Sequence, residues 1–479
     1  MRDFLPADKA RREHVLSVIR RTFREHGFDE IETPVVEDSS RLHAGLGGDN
    51  EKLAYAVMKR DLKQDSLQLA AESGDYLELA DLGLRFDLTV PLARFYATHR
   101  AELPKVFRAI QIAPVWRAER PQKGRYRQFV QCDIDVIGES GPLAEIELIT
   151  ATSAALEALG FSGANACTIR INDRRILRRI VASLGIPDES YERALIAIDK
   201  EDKVGVEGVV KELVELGLGD ASTLTPVLEG LSTLGGDGWE LLNAPPEWLD
   251  LDAYRELLAI RDAVRIATST SPGSDSTAQD GEGRDSAGRD SADRDSAGRD
   301  STGRDSTGRD STGRDSTGRD STGRDSAHLV FSPNLVRGMG YYTGTIFEIA
   351  HPDLPYSLGG GGRYDGMIGR FLGTDVAAAG FSLGFERLVE LVQLPEDAAT
   401  NSIVLIYDRD VEPARLAALK TELVTHGARA TLAERPKNLT ALIDQLGASG
   451  WTQFAFVTTA TETADDLDLR QISASEPAQ

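Results

Sequence analysis

Apolar positions along the chain change period several times, and each change marks an element. Over residues 8–26, Val15, Val18, Ile19 and Phe23 fall at helical spacing, and the run stops at Gly27, which suits a helix end. "FDEIETPVVE" then alternates as a strand does, with Pro34 confining it to an edge or a bulge. From about 84 to 138, short strand-like runs alternate with loops. Within them "VWRAERPQKGRYRQFVQCDIDVIG" implies a strand, a basic loop and a returning strand. Arg117, Arg120, Lys123, Arg125 and Arg127 crowd a Pro-Gln-Lys-Gly turn, and Gln131, Asp133 and Asp135 then alternate with Cys132, Ile134 and Val136. Residues 141–159 read as a helix, and 165–265 as mostly helical, beginning with "ACTIRINDRRILRRIVASLGI".

Periodicity of either kind then vanishes. Arg-Asp-Ser recurs every five residues from Arg284 to Arg324, with nothing to anchor a core, so disorder is expected. Five is not the period of a solenoid unit. The functional alternative is an RNA-binding arm, but an Asp follows and neutralises every Arg. Pattern resumes at "HLVFSPNLVRGMGYYTGTIFEIA", strand-like with a tight glycine turn, and continues through "SLGGGGRYDGMIGRFL". "AAAGFSLGFERLVELV" reads as a strand running through glycine into a helix. From Ser402, strand, helix, strand, helix and strand make a compact α/β module of about 75 residues.

Composition narrows the picture. A chain of 479 residues implies two or three domains. Two cysteines cannot form a disulfide framework or a structural zinc site, which fits a reducing compartment. "MRDFLPADKARREH" lacks an apolar core of signal-peptide length, and no apolar run reaches about 18 residues. A soluble cytoplasmic protein with no membrane partner is expected. Lys plus Arg total 54 against 77 Asp plus Glu, a net charge of −23, which argues against a generic nucleic-acid coat. Any polyanion must meet a local basic patch. The 115–138 stretch is the best candidate, the bland alternative being a solvated hairpin tip.

Four segments share a chemical character: "RFDLTVPLAR" (Arg85–Arg94), the basic stretch, "LVRGMGYYTG" and "GFSLGFERL". They offer arginines able to hold phosphate oxygens in bidentate fashion, and carboxylates and tyrosines able to hold a small polar molecule. There is no G-x-x-x-x-G-K-[ST] loop and no clear G-x-G-x-x-G after a strand, so a nucleotide would be gripped by side chains. "GGGG" at 359–362 reads as a place where backbone approaches a ligand or another strand closely.

In these segments the chain resembles class II aminoacyl-tRNA synthetases, and specifically the histidyl-tRNA synthetase family. "FDEIETPVVE" looks like motif 1, "VWRAERPQKGRYRQF" like motif 2 and "GFSLGFERL" like motif 3. "LVRGMGYYTGTIFE" and "GGRYDG" resemble the two histidine-specific signatures, and the likeness covers nearly all of the chain except the repeat tract. It implies an α+β fold. A class II synthetase antiparallel-sheet catalytic domain would occupy 1–164 and 328–395, with a helical insertion at 165–268 and the disordered repeat tract at 269–327. A C-terminal α/β anticodon-binding domain would occupy 400–472, followed by a tail at 473–479. The implied activity is histidine–tRNA ligase, with L-histidine and ATP as substrates, Mg²⁺ on the phosphates, histidine tRNA as partner and a homodimer as assembly.

Carried over by motif, Arg117 and Arg337 are the implied catalytic residues at the α-phosphate. Arg117 and Glu119 would hold the α-phosphate and adenine, and Arg125 and Arg387 would meet the distal phosphates. Asp87, Leu88 and Thr89 fall at the histidine site, with Asp87 and Thr89 on the amino group. Gln131, Asp135, Tyr341, Tyr342 and Tyr364 would surround the substrate. A structural acid at Asp135 and plain packing at Tyr341 are the alternatives. Three departures stand out: many relatives have a carboxylate where this chain has Gly340, many have Glu where it has Asp135, and the family usually begins several residues upstream of "RDFLP". The rival reading is a catalytically dead paralogue serving as a regulatory subunit of ATP phosphoribosyltransferase. Such paralogues tend to lose the motif arginines and the C-terminal module, whereas Arg117, Arg125, Arg337 and Arg387 are present here. A class II synthetase of different specificity is disfavoured by the two signatures.

Overall fold

The structure of the protein, a computed structural model, describes residues 1–43, 53–74, 79–120, 126–232, 234, 237–269, 328–337, 342–392 and 401–472. The repeat tract, Arg125, Gly340 and Tyr341 lie outside those residues. Helix α1 (Pro6–Glu25) starts on a proline already set for a helical first turn, and buries Val15, Val18, Ile19 and Phe23. The "FDEIETPVVE" segment is divided around Pro34 into β1 (Asp29–Glu30) and β2 (Val36–Asp38). There follow α2 (Ser39–His43), β3 (Tyr55–Met58), α3 (Gln64–Ser73), β4 (Ala80–Leu84), α4 (Thr89–His99), β5 (Phe107–Trp116), β6 (Gln128–Ile137) and α5 (Leu143–Ala158). Strand β7 (Thr168–Asp173) leads into α6 (Arg174–Ser183), α7 (Tyr191–Ile198), α8 (Glu201–Glu215), α9 (Ala221–Ser232) and α10 (Leu251–Ser269). Beyond the repeat tract come β8 (His328–Phe331), β9 (Thr345–Ala350), β10 (Gly359–Arg363), α11 (Asp365–Leu372), β11 (Ala378–Gly384) and α12 (Phe385–Leu391). The C-terminal module comprises β12 (Ser402–Tyr407), α13 (Pro413–Thr425), β13 (Arg429–Glu434), α14 (Leu439–Ala448), β14 (Gln453–Val457) and β15 (Arg470–Gln471).

The large sheet runs β1-β5-β6-β11-β10-β9-β7-β8, antiparallel through its centre, with parallel pairs at its two ends. Its first face carries Cys132, Ile134, Val136, Ile169 and Ile171 into the main core, against α1, α5, α6 and α10. The opposite face is covered at one end by α4 and α11, which pack on Phe107, Ala109, Ile137 and Ala378. A small sheet, β2-β4-β3, and the module's β13-β12-β14-β15 sheet complete the fold.

Two stretches depart from the sequence reading. Residues 89–99 form a helix, not a strand-like run. Asp87 Oδ1 accepts from Val90 N at 3.2 Å, and Pro91 sits in the first turn, where its missing N–H costs no helical bond. The region read as mostly helical opens with a strand, because Ile169 and Ile171 alternate into the core while β7 pairs with β9 and β8.

Candidate active site

Beyond α4 and α11, the second face of the large sheet opens into a cleft of about 360 Å³. Strand register lays out its floor. Gln131, Asp133 and Asp135 of β6 stand opposite Gly384, Ser382 and Gly380 of β11. Ser382 and Gly380 in turn face Gly360 and Gly362 of β10, which face Glu348 and Ile346 of β9. The small residues in the middle strands let large side chains lie across the sheet. A Cβ on Gly380 would collide with Asp135 Oδ1, and one on Gly360 would fall 2.5 Å from the guanidinium carbon of Arg337.

Among the described residues, three arginines line the cleft. Arg337 Nη1 donates to Glu348 Oε2 at 2.5 Å and to Gly359 O at 3.2 Å, which lays its guanidinium over the glycine strand. Arg117 Nε donates to Phe86 O at 3.0 Å, with the guanidinium 5.0 Å from the centre of the Phe129 ring. Arg387 donates to Ser357 O and lies 4.8 Å from the Tyr356 ring. Arg117, Glu119, Arg337 and Arg387 all line the cleft.

Acids gather behind the lining, on β6 and just ahead of α4, where the Arg117 charge reaches Asp87 and Asp133. The buried Tyr364 donates its hydroxyl proton to Asp135 Oδ1 at 2.5 Å. Burial lifts the Asp135 carboxyl to about 7; the Tyr364 hydrogen bond opposes the rise and the Asp87 charge adds to it. Burial, then the charge on Asp135, raises Asp133 well above the usual carboxylate range. Burial also raises Asp87, against the pull of the Val90 N–H and of Arg117. Carboxyls that push one another upward form a site short of positive charge, which a ligand bearing a cation or N–H donors would relieve. Asp133 Oδ1 and Gln131 Oε1 are buried with no hydrogen-bond partner, whereas Gln131 Nε2 donates to Asp133 Oδ2 and Ser382 Oγ at 3.3 Å each.

The structure therefore brings Arg117, Glu119, Gln131, Arg337, Tyr342 and Arg387 to one cleft, while Asp135 and Tyr364 are buried together outside its lining. Asp87 and Thr89 sit at the head of α4. Leu88 between them is wholly buried, and its carbonyl accepts from Gln111 Nε2 at 2.9 Å. Arg85 and Arg94, which bound the same segment, have their guanidiniums committed elsewhere. Arg85 is buried and donates to Thr33 O at 2.8 Å and Pro114 O at 2.9 Å, while Arg94 grips Glu37 in bidentate fashion. Arg125 and Tyr341 lie outside the described residues.

Sequence reasoning missed Glu348, Ser382 and Glu386. Glu386 lines the cleft but is buried. Burial works to raise its carboxyl, yet the Arg12 pair, Arg2 and the Val130 N–H together hold it below the usual range. Its one local signal was its place before Arg387 in "GFERL".

A family model described as histidyl-tRNA synthetase matches residues 1–279 and 317–388. The chain is 54% identical over 473 residues to the histidine–tRNA ligase of Leifsonia xyli subsp. xyli (strain CTCB07), covering 99% of this chain and 97% of that one. It is 38% identical over 439 residues to the probable histidine–tRNA ligase of Tropheryma whipplei (strain Twist), covering 91% and 90%. Its fold resembles the crystal structure of histidyl-tRNA synthetase from Nostoc sp. PCC 7120, with a TM-score of 0.68, 22% identity and coverage of 98% and 93%. It also resembles a structure titled as an ATP phosphoribosyltransferase regulatory subunit/histidyl-tRNA synthetase from Bacillus halodurans C, with a TM-score of 0.65, 18% identity and coverage of 96% and 97%. At those identities the solved structures speak for the α+β fold alone, and the second carries both names that the rival readings set apart.

Proposed function

The chain belongs to the histidyl-tRNA synthetase family, and from that premise we propose that its cleft joins L-histidine to ATP as histidyl-adenylate and passes the histidyl group to the 3′ end of histidine tRNA. The observation that carries this reading is a cleft lined by Arg117, Arg337 and Arg387 beside a buried group of carboxyls, Asp87, Asp133 and Asp135, two of which feel the charge of Arg117. In the first step a carboxylate oxygen of histidine attacks the α-phosphorus. The new P–O bond forms as the bond to pyrophosphate breaks, and pyrophosphate leaves. In the second step a ribose hydroxyl of the tRNA end attacks the adenylate carbonyl, and AMP leaves.

Arg117 and Arg337 take the α-phosphate, where negative charge shifts during attack. Their guanidiniums are already fixed by Phe86 O and Glu348, so little reorganisation is needed at the moment of reaction. Glu119 holds the adenine, and Arg125 and Arg387 take the distal phosphates. Magnesium enters as part of the Mg–ATP substrate and neutralises phosphate charge; Glu348 and Glu386 are already paired with arginines. Asp87 and Thr89 receive the α-amino group, and Gln131, Asp135, Tyr341, Tyr342 and Tyr364 surround the histidine. The unpartnered Asp133 Oδ1 and Gln131 Oε1 support this, since buried acceptors call for a ligand with donors.

We assign the catalytic domain to 1–164 and 328–395, the insertion to 165–268 and anticodon reading to 400–472. Residues 401–471 hold seven Lys/Arg against ten Asp/Glu, a balance of −3, which suits phosphate poorly. Splayed bases fit better. The Phe456 ring lies 4.8 Å from the Arg435 guanidinium and 5.3 Å from that of Arg470, and Arg429 lies 4.1 Å from the Trp451 ring. A homodimer is the assembly we assign, supported by exposed Val36, Met58 and Leu82 on the small sheet. The cytoplasm is the compartment, supported by two free, buried cysteines. Among the described residues no helix is long and apolar enough to cross a membrane. Charging of histidine tRNA with labelled histidine tests the reading. Histidine binding without charging is the outcome expected of a regulatory paralogue.

A further inference from the structure

Arg2 sits where three parts of the cleft wall meet. Its Nη2 donates to Glu386 Oε2 at 2.8 Å and its Nη1 to Tyr126 OH at 3.2 Å. The same guanidinium lies 4.1 Å from the centre of the Tyr126 ring and 4.9 Å from that of Phe4. Tyr126 in turn donates to Glu390 Oε1 at 3.0 Å. Glu386 and Glu390 belong to α12, the helix that carries Arg387, and Tyr126 lies just ahead of β6. Tyr126, Glu386 and Arg387 all line the cleft. Arg2 thus fastens the entry to β6 onto α12 beside Arg387.

Arg12 holds Glu386 from the core side, with Nη2 2.8 Å from Oε1 and its guanidinium 3.9 Å from the Phe4 ring. The two arginines differ in what they support. The Arg12 side chain is 7% exposed and that of Arg2 is 37% exposed. Removing Arg12 would strand a buried carboxylate, whereas removing Arg2 leaves Glu386 paired with Arg12 and its charge satisfied.

We propose that Arg2 is a positioning residue for the nucleotide end of the cleft, setting the distance between Tyr126 and the helix that presents Arg387. The inference rests on the synthetase reading, in which ATP occupies that end. Without Arg2, Tyr126 loses a hydrogen bond and the cation over its ring, and the Glu390 contact is left to join it to α12. The hydrogen bonds and ring contacts of Arg2 go to Glu386, Tyr126 and Phe4, and those of Asp135 and Gln131 to Tyr364, Asp133 and Ser382. Loss of Arg2 therefore acts on ATP and spares histidine. A purely structural role would weaken both substrates together and lower the melting temperature.

The experiment uses the full chain with Arg2→Ala and Arg2→Lys. Histidine-dependent ATP–pyrophosphate exchange is measured with each substrate varied against saturating partner, and ATP affinity is measured separately by calorimetry. Arg2→Ala is expected to raise the KM for ATP about 5- to 10-fold, the scale of a partly exposed ion pair plus a cation–ring contact, with the KM for histidine within about twofold. Arg2→Lys keeps the charge on Glu386 but not the flat contact with Tyr126, and recovers part of the loss. Unchanged ATP affinity in Arg2→Ala overturns the proposal, as does an equal rise in both KM values. Absence of exchange in the wild type would instead count against the synthetase reading, and the calorimetric comparison would still decide the role of Arg2.

Discussion

Replacing Asp135 by Asn removes a buried ionisable group while keeping the shape. In the free protein the carboxyl titrates near 7 in place of 3.8 because it is buried beside Asp87. A raised acid stabilises the fold only while the unfolded chain also holds the proton. Stability from this group is therefore full below about 3.8, falls as pH rises, and reaches its floor above about 7. At about 1.4 kcal/mol per tenfold change in proton affinity, the cost of keeping Asp135 ionised in the folded chain is on the order of 4 kcal/mol. Asn escapes that cost. The variant is expected to melt higher than wild type at pH 8, with the advantage vanishing towards pH 4. Histidine binding should move the other way. A carboxylate accepting from an imidazole N–H or a cation contributes roughly 1.5–3 kcal/mol, so affinity should fall about 10- to 100-fold, with ATP affinity barely changed. Wild-type binding should also release a proton near pH 7, because a donor ligand favours ionised Asp135, and Asp135→Asn should abolish that release. Calorimetry in two buffers of different ionisation enthalpy, alongside thermal unfolding from pH 4 to 8, reads all three effects. Unaltered histidine affinity, or a stability profile parallel to that of wild type, refutes the reasoning and leaves Asp135 a structural acid.

Arg337→Ala should slow adenylate formation about 10²- to 10³-fold while sparing histidine affinity, and an unchanged pyrophosphate-exchange rate removes Arg337 from the α-phosphate. Gly380→Ala puts a methyl group into the place of Asp135 Oδ1, so histidine affinity should fall at least about tenfold with ATP affinity retained; titration with each substrate checks it. Deleting residues 283–326, mostly within the gap that the family model skips, should leave both reaction steps near their original rates, since closing a long loop costs only about 0.6 kcal/mol per doubling of length. A tenfold higher KM for tRNA at low salt, with exchange intact, would instead make the tract an RNA-binding arm.

What could be read in advance was what repeats locally. The helical stripe of α1, the alternation of Gln131, Asp133 and Asp135 against Cys132, Ile134 and Val136, and the strand–helix order of the C-terminal module all follow from period alone. Helix α4 escaped because Thr89, Val90 and Pro91 look like strand or loop. Its first turn depends on Asp87 accepting from Val90, and its length on burial of Leu92, Ala93 and Tyr96. The arginines were legible as a type but not by role. Arg85 and Arg94 are drawn off by carbonyls of Thr33 and Pro114 and by Glu37, partners that only the folded chain brings near. The Arg12–Glu386 pair joins positions 374 residues apart, so no window of sequence could show it.

The synthetase reading requires this one cleft to make histidyl-adenylate. Histidine-dependent exchange of labelled pyrophosphate into ATP, measured on the full chain against the other amino acids, tests it most directly. Exchange is expected with histidine alone and is lost in Arg337→Ala. Tight histidine binding with no exchange would contradict it and point to a histidine-sensing paralogue.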